Sequence, residues 1–264
     1  MVFYANFSPQ WLIFARCIAL SVYATNNLTI YIETAGSEAR SSISNAVHYY
    51  LSVWDGFQVK AGISSHASNS EDVSEIGLTG STGNNRIFAA AVHYNNGPLI
   101  AGATYEYNKY EDYSGRPSTT ELDSGNTWNI AAAYDFGVVR ISGACGTINY
   151  AENGTFAGGQ KVDNRKQWQI GVSALITPKD LISINFAHAD INYNDRVTFD
   201  DDSIGFRGIG YQHSLSKRTT LYAAYGDISQ DDDNYTKARL DSTSPSVTNG
   251  GFQSAFALGF RHNF

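Results

Sequence analysis

The chain has 264 residues, with 24 Gly, 5 Pro, 17 Tyr and 14 Phe, and it is 42% hydrophobic at a mean hydropathy of −0.27. A net charge of −7 with no basic stripe interleaved with aromatics argues against nucleic acid as a partner. Cys17 and Cys145 alone make no disulfide framework, and no apolar run approaches the ~18 residues of a membrane helix.

Residues 1–42 stand apart as an unassigned segment: a leader, a frameshift remnant or one strand. Trp11 to Tyr23 is an apolar run broken by Arg16, and Val22-Tyr23-Ala24 resembles a cleavage site. Residues 1–10 lack the positive charge that precedes the apolar run of a signal peptide. Leu28 to Glu33 alternates weakly and is a candidate twelfth strand.

From residue 43 to 264 the pattern is regular and reads as one domain. Ile43 to Tyr50 and Phe57 to Ile63 flank Trp54-Asp55-Gly56. Arg86 to Tyr94 and Leu99 to Tyr107 flank Asn95-Asn96-Gly97, and Asn-Gly between alternating runs is a strong hairpin signal. Thr127 to Tyr134 and Val138 to Asn149 flank Asp135-Phe136-Gly137. Gln167 to Ile176 and Leu181 to Asn192 flank Thr177-Pro178-Lys179-Asp180. Gly205 to Ser214, Thr219 to Ile228 and Gln253 to Phe264 complete eleven strands. The remaining connections, 64–85, 109–126, 151–166, 193–203 and 229–251, are long and rich in Asn, Asp, Gly, Ser and Thr.

Short turns alternating with long loops is the pattern of an outer-membrane barrel. The faces agree. Trp128, Ile130, Ala132 and Tyr134 share one parity and Asn129, Ala131 and Ala133 the other. Trp168, Ile170, Val172, Ala174 and Ile176 oppose Gln167, Gln169, Gly171 and Ser173. Apolar residues with aromatics near strand ends suit a lipid-facing band, whereas a soluble barrel would turn its bulky apolar face inward. The predicted fold is all-β, a transmembrane antiparallel barrel with small and polar residues toward a wet lumen.

The ending Gly259-Phe260-Arg261-His262-Asn263-Phe264 resembles the G-x-R-H-x-F close of Gram-negative trimeric porins. Ser214 to Tyr222 is similar to the L-S-K-R-T-x-L-Y turn of that family, and Tyr94 to Leu99 to its Y-x-N-G-P-L turn. Asn45 to Tyr49 and Trp54 to Phe57 resemble its N-S-V-x-Y and F-x-G-F hairpin. The resemblance implies a sixteen-stranded plan, of which eleven or twelve strands are present and roughly five, with most of the constriction loop, are absent from the N-terminal side. It implies a water-filled channel for passive diffusion of small hydrophilic solutes and ions. It also implies a homotrimer in the outer membrane, among lipid and lipopolysaccharide, inserted by the barrel-assembly machinery through a signal at Phe260 and Phe264. Alternatives are a non-conducting structural fragment and, further off, an outer-membrane hydrolase.

Parity places His48, Lys60, Glu106, Arg140 and Arg261 on the lumen side as expected pore-lining residues. His48 stands where the family usually carries a base, and a mostly neutral imidazole weakens a positive ladder. His188 and His213 fall on lipid parity near strand ends. The acidic runs Asp200 to Asp202 and Asp231 to Asp233 lack the spaced ligands of a calcium loop and read as solvated loop charge. No G-x-S-x-G, H-E-x-x-H or phosphate-cradling glycine loop occurs. No catalytic residue, metal or cofactor is expected.

Overall fold

A computed structural model describes residues 31–33, 46–64, 86–109, 124–149, 162–193, 201–231, 237–239 and 252–263. The strands are β1 (Tyr31–Glu33), β2 (Ala46–Tyr50), β3 (Phe57–Ser64), β4 (Arg86–Asn96), β5 (Leu99–Lys109), β6 (Ser124–Asp135) and β7 (Val139–Asn149). They continue as β8 (Val162–Thr177), β9 (Asp180–Tyr193), β10 (Asp202–Ser214), β11 (Thr219–Gln230), β12 (Lys237–Arg239) and β13 (Phe252–His262). Eleven of them form one antiparallel sheet in chain order from β2 to β13, omitting β1 and β12. Among the described residues β2 and β13 are its two edges.

All eleven predicted strands are present, and most run further than composition suggests. β8 begins at Val162 and β10 at Asp202, inside stretches that read as loops. Polar side chains resemble loop, but the ladder pairs backbone groups: Arg165 and Asn164 still face Ile191 and Asn192 across β8 and β9. The segment 43–45 and Phe264 lie outside the described residues. Of the candidate twelfth strand, residues 28–30 lie outside the described residues, and Tyr31–Glu33 pairs with β12 in a separate two-stranded sheet rather than joining the eleven. A barrel strand needs about 9–11 residues to cross a bilayer, and Leu28 to Glu33 is too short.

The short turns hold the register. Asp55 (φ 47°) and Gly56 (φ 83°) make a two-residue hairpin between Trp54 and Phe57, which exchange backbone hydrogen bonds of 2.9 and 2.8 Å. Positive φ at both central residues is the type I′ pattern that matches strand twist. Each turn is also tied to the next. Asn95 N–H donates to Gly56 O, Asp135 N–H to Pro98 O and Leu175 N–H to Val138 O. Ser214 N–H donates to Lys179 O and Asn263 N–H to Arg218 O, so one rim of the sheet is continuously bonded.

Residues opposite each other in a ladder share a face, which divides the sheet in two. The outer face carries Val59, Val92, Ile130, Trp168, Ile184, Ile209, Tyr225 and Phe256, all substantially exposed. The inner face carries the buried residues, and many of these are polar: Asn108, Thr127, Asn129, Gln167, Ser183, Asn185 and Gln230. Large apolar groups outside and polar groups inside is the inversion expected of a sheet in lipid.

The inner face departs from the expected wet wall in one respect. Toward the long-connection ends of the strands it carries Ile87, Ile148, Ile191, Ile204 and Ile228 on the polar parity, all buried. Alternation fixes which face a residue is on, not what packs against that face. Removing each isoleucine from water contributes about 1.5–3 kcal/mol, so this half of the inner face is a mixed packed layer.

Candidate functional site

The register brings the expected lumen residues onto one face. His48 lies opposite Gly62, which lies opposite Ala89, which lies opposite Glu106. One row nearer the short turns, Tyr50 faces Lys60, Lys60 faces Ala91 and Ala91 faces Thr104. Arg140 faces Asp135 on one side and Ser173 on the other. Arg261 faces Thr220 at the far edge of the sheet. These rows join through β6 to β11 without a change of parity, so His48, Lys60, Glu106, Arg140 and Arg261 all belong to the inner face.

Their surroundings differ. At the β2 edge the His48 and Tyr50 rings lie 6.4 Å apart, and Lys60 Nζ sits 5.4 Å from the Tyr50 ring centroid. Within about 6 Å an ammonium is attracted by the ring face. The His48 ring also lies over Gly62, where an added Cβ would meet Nδ1 at 2.7 Å. Glu106 is buried and its Oε1 accepts from Asn108 Nδ2 at 3.0 Å. Gln167 Nε2 and Asn129 Oδ1 lie 3.4 Å apart across β7, over Gly146, where any side chain would strike Asn129.

Among the charged or titratable inner-face residues that the sequence reading missed are His93 and Arg165. His93 faces Gln58 and Gly102, diagonally beside Lys60. It is on lumen parity in the strand already read, and counting neutral imidazoles along with charges would have found it. Arg165 faces Ile148 and Ile191 and is only 2% exposed. It fell in a stretch read as loop, and extending the alternation of β8 by two residues would have placed it.

The outer face holds His188, opposite Trp168, and His213, opposite Leu221, both on the parity expected. The Asp180 carboxylate accepts from Tyr211 Oη at 2.6 Å and from Thr177, and its Oδ1 lies 2.6 Å from His213 Nδ1. Of the acidic runs, the described residues Asp201, Asp202 and Asp231 are hydrogen-bonded, and Asp202 departs from the expected solvated loop charge. Asp202 is a buried strand residue accepting from Gln230 Nε2 at 2.5 Å, Asp201 accepts from the Tyr193 backbone, and Asp231 accepts from Ser203. Among the described residues no group of three His, Cys, Asp or Glu is placed to hold a metal. Phe260 points outward, opposite Leu221.

A sheet with bonded short turns at one end, an apolar outer face and a polar, charge-bearing inner face is the wall of an outer-membrane β-barrel. Residues 17–233 match the family model of the Gram-negative porins, and the chain belongs to that family. Its location is the outer membrane. It is 26% identical over 242 residues to an outer membrane porin protein of Bordetella pertussis, covering 83% of this chain and 57% of that protein. It is 25% identical over 222 residues to outer membrane porin protein 32 of Delftia acidovorans, covering 84% and 56%. The chain thus spans little more than half the length of these relatives. Among solved structures, the anion-selective porin from Comamonas acidovorans matches with a TM-score of 0.59 at 21% identity, over 83% of this chain and 59% of that one. OmpT of Vibrio cholerae matches with a TM-score of 0.53 at 13% identity, over 89% and 75%. At these identities the solved structures bear on the fold alone.

Proposed function

We propose that this chain walls a water-filled channel through which small hydrophilic solutes and ions diffuse passively across the outer membrane, with no chemistry performed on them. The observation that carries this reading is the single unbroken inner parity joining His48, Lys60, Glu106, Arg140 and Arg261. Charges gathered on one face and kept from lipid set the potential felt by a passing ion. The outer-face apolar band supplies the contact with lipid, and Phe260 with the C-terminal residue Phe264 is the aromatic signal that the assembly machinery engages. Lipopolysaccharide is the partner in the outer leaflet, and copies associate as homotrimers, in keeping with the family.

The test is reconstitution of the full chain into liposomes, followed by swelling in isotonic small sugars and by planar-bilayer recording. Swelling that declines with sugar size, together with discrete conductance steps, is the expected result. A heat-modifiable, inserted protein that neither swells liposomes nor conducts would instead make the chain a structural wall without a channel.

A further inference from the structure

The short-turn rim is uneven in charge. Its β2–β3 and β6–β7 turns carry Asp55 and Asp135, and its β4–β5 turn, Gly97-Pro98, is uncharged. The β8–β9 and β10–β11 turns carry Lys179, Lys217 and Arg218, all exposed. Among the described residues none of these three makes an ion pair. The two turns are neighbours. Lys179 O accepts from Ser214, the last residue of β10, and Arg218 O accepts from Asn263, just past β13. With strands ~4.8 Å apart, the two turns stand roughly 10 Å from each other. Side chains as long as Lys and Arg span that gap.

One carboxylate lies among these cations, and it is already engaged. Asp180 accepts from Tyr211 Oη and from Thr177, and its Oδ1 lies 2.6 Å from His213 Nδ1. Beside a carboxylate, Nδ1 is the donor, which leaves Nε2 on the far side of the ring. The outer row through His213 continues with Leu221 and Phe260, and Tyr211 stands one row further from the turns. All three of these large side chains are exposed. Free cations therefore sit at the end of a bare apolar strip. A soluble anion would match the cations and leave the strip uncovered. Acyl chains alone would cover the strip and leave the cations without acceptors. A phospholipid joins a phosphate to acyl chains in one molecule, and the rim of a barrel lies at the headgroup level. Three cations beside one engaged carboxylate favour an anionic headgroup, because no free acceptor is offered to an ammonium.

We propose that the outer short-turn rim from β8 to β13 binds the headgroup phosphate of an anionic phospholipid in the periplasmic leaflet. Lys179, Lys217 and Arg218 hold the phosphate, and the acyl chains lie on Leu221 and Phe260. This rests on the reading of the chain as an inserted wall, and it assigns one class of lipid to one sector of that wall.

The experiment inserts the full chain, with Cys17→Ser and Cys145→Ser, into phosphatidylcholine vesicles. These hold a minor fraction of either phosphatidylglycerol or phosphatidylcholine that is spin-labelled near the headgroup end of one acyl chain. A fluorophore is attached at Leu215→Cys, or at Phe136→Cys on the acidic half of the same rim; both residues are exposed. Labelled phosphatidylglycerol is expected to quench the Leu215→Cys reporter at a several-fold lower fraction than labelled phosphatidylcholine, and the two lipids to quench the Phe136→Cys reporter alike. Each cation near an anionic lipid contributes about fivefold in binding. The double variant Lys217→Gln, Arg218→Gln, checked for insertion by heat-modifiability, should therefore erase most of the preference. Inorganic phosphate added at constant ionic strength should leave it intact. Equal quenching by the two lipids at Leu215→Cys, an equal preference at Phe136→Cys, or a preference that survives the double variant overturns the site. Displacement by inorganic phosphate replaces the lipid with a free anion and overturns the assignment. A chain that inserts without conducting removes the channel reading and leaves this test standing, whereas a chain that does not insert overturns both.

Discussion

At the residue scale, the inner face holds two kinds of group: fixed charges, and imidazoles whose charge depends on pH. Arg140 faces Asp135 and Ser173 near the bonded rim, away from the buried isoleucine layer. Acting through water and salt, with a screening length of about 10 Å at 0.1 M, it is expected to raise the local potential for anions modestly. Arg140→Glu should therefore move the reversal potential in a salt gradient toward cations, more at low salt than at high salt. No shift in single-channel recordings at any salt concentration would remove Arg140 from the conducting wall. His48 and His93 flank Lys60, with Tyr50 and Gln58 on the same face and Glu106 on the row beyond. Protonating either imidazole adds positive charge beside Lys60, so anion preference should rise as the pH is lowered from neutral into the acid range. The double variant His48→Gln, His93→Gln should lose most of that rise, whereas an unchanged pH response would place the titrating groups elsewhere. Parity made His48, Lys60 and Arg140 legible from sequence. It did not reveal Arg165, because a buried arginine among Asn and Lys has the composition of a loop. Nor did it single out Arg207, which shares the lipid parity read for His213 on the same strand and pairs with Asp227 on β11.

At the element scale, the turns hold register while the strands supply the faces. A one-residue slip would exchange inner and outer sets entirely, so turn geometry carries large consequences. Gly56 (φ 83°) closes the β2–β3 hairpin, and a Cβ there would lie 2.9 Å from the Asn95 carbonyl oxygen. Gly137 (φ 90°) has comparable backbone but nothing within 4 Å of an added Cβ. Left-handed backbone costs an L-residue about 1–2 kcal/mol. Gly137→Ala should lose about that much in urea unfolding of the folded barrel, and Gly56→Ala measurably more, because it also strikes the neighbouring turn. Equal losses would mean that the Gly56–Asn95 contact relaxes freely. The eleven strands and their turns could be read from alternation and from Asp-Gly and Asn-Gly pairs. Strand ends could not, because backbone pairing continues past the last apolar residue, as in β8 and β10. The pairing of Tyr31–Glu33 with Lys237–Arg239 was equally invisible, since two three-residue strands far apart in sequence carry no periodic signal.

At the scale of the whole molecule, the two ends of the sheet are chemically distinct. One rim is a run of short turns bonded in series from Gly56 to Asn263. Within it, Ser216 Oγ accepts from the backbone N–H groups of Arg218 and Thr219 at 3.1 and 3.0 Å, which fastens the β10–β11 turn. The other end is where the chain leaves the sheet for the long connections 65–85, 110–123, 150–161 and 231–251. Barrels of the outer membrane keep short turns on the periplasmic side and long loops outside, so the bonded rim should face the periplasm. The sequence provides trypsin sites at both ends: Lys217 and Arg218 in the β10–β11 turn, Lys161 and Arg196 in long connections. Trypsin added to intact cells is expected to cut at Lys161 or Arg196 and to leave Lys217 and Arg218 whole. Opening the outer membrane exposes the turn to the enzyme, yet its hydrogen bonds should keep cleavage there slow, whereas heating the barrel until it unfolds should make the turn as sensitive as the connections. Cleavage at Lys217 in intact cells would reverse the orientation. It would also place the buried isoleucine half of the inner face toward the periplasm rather than the cell exterior.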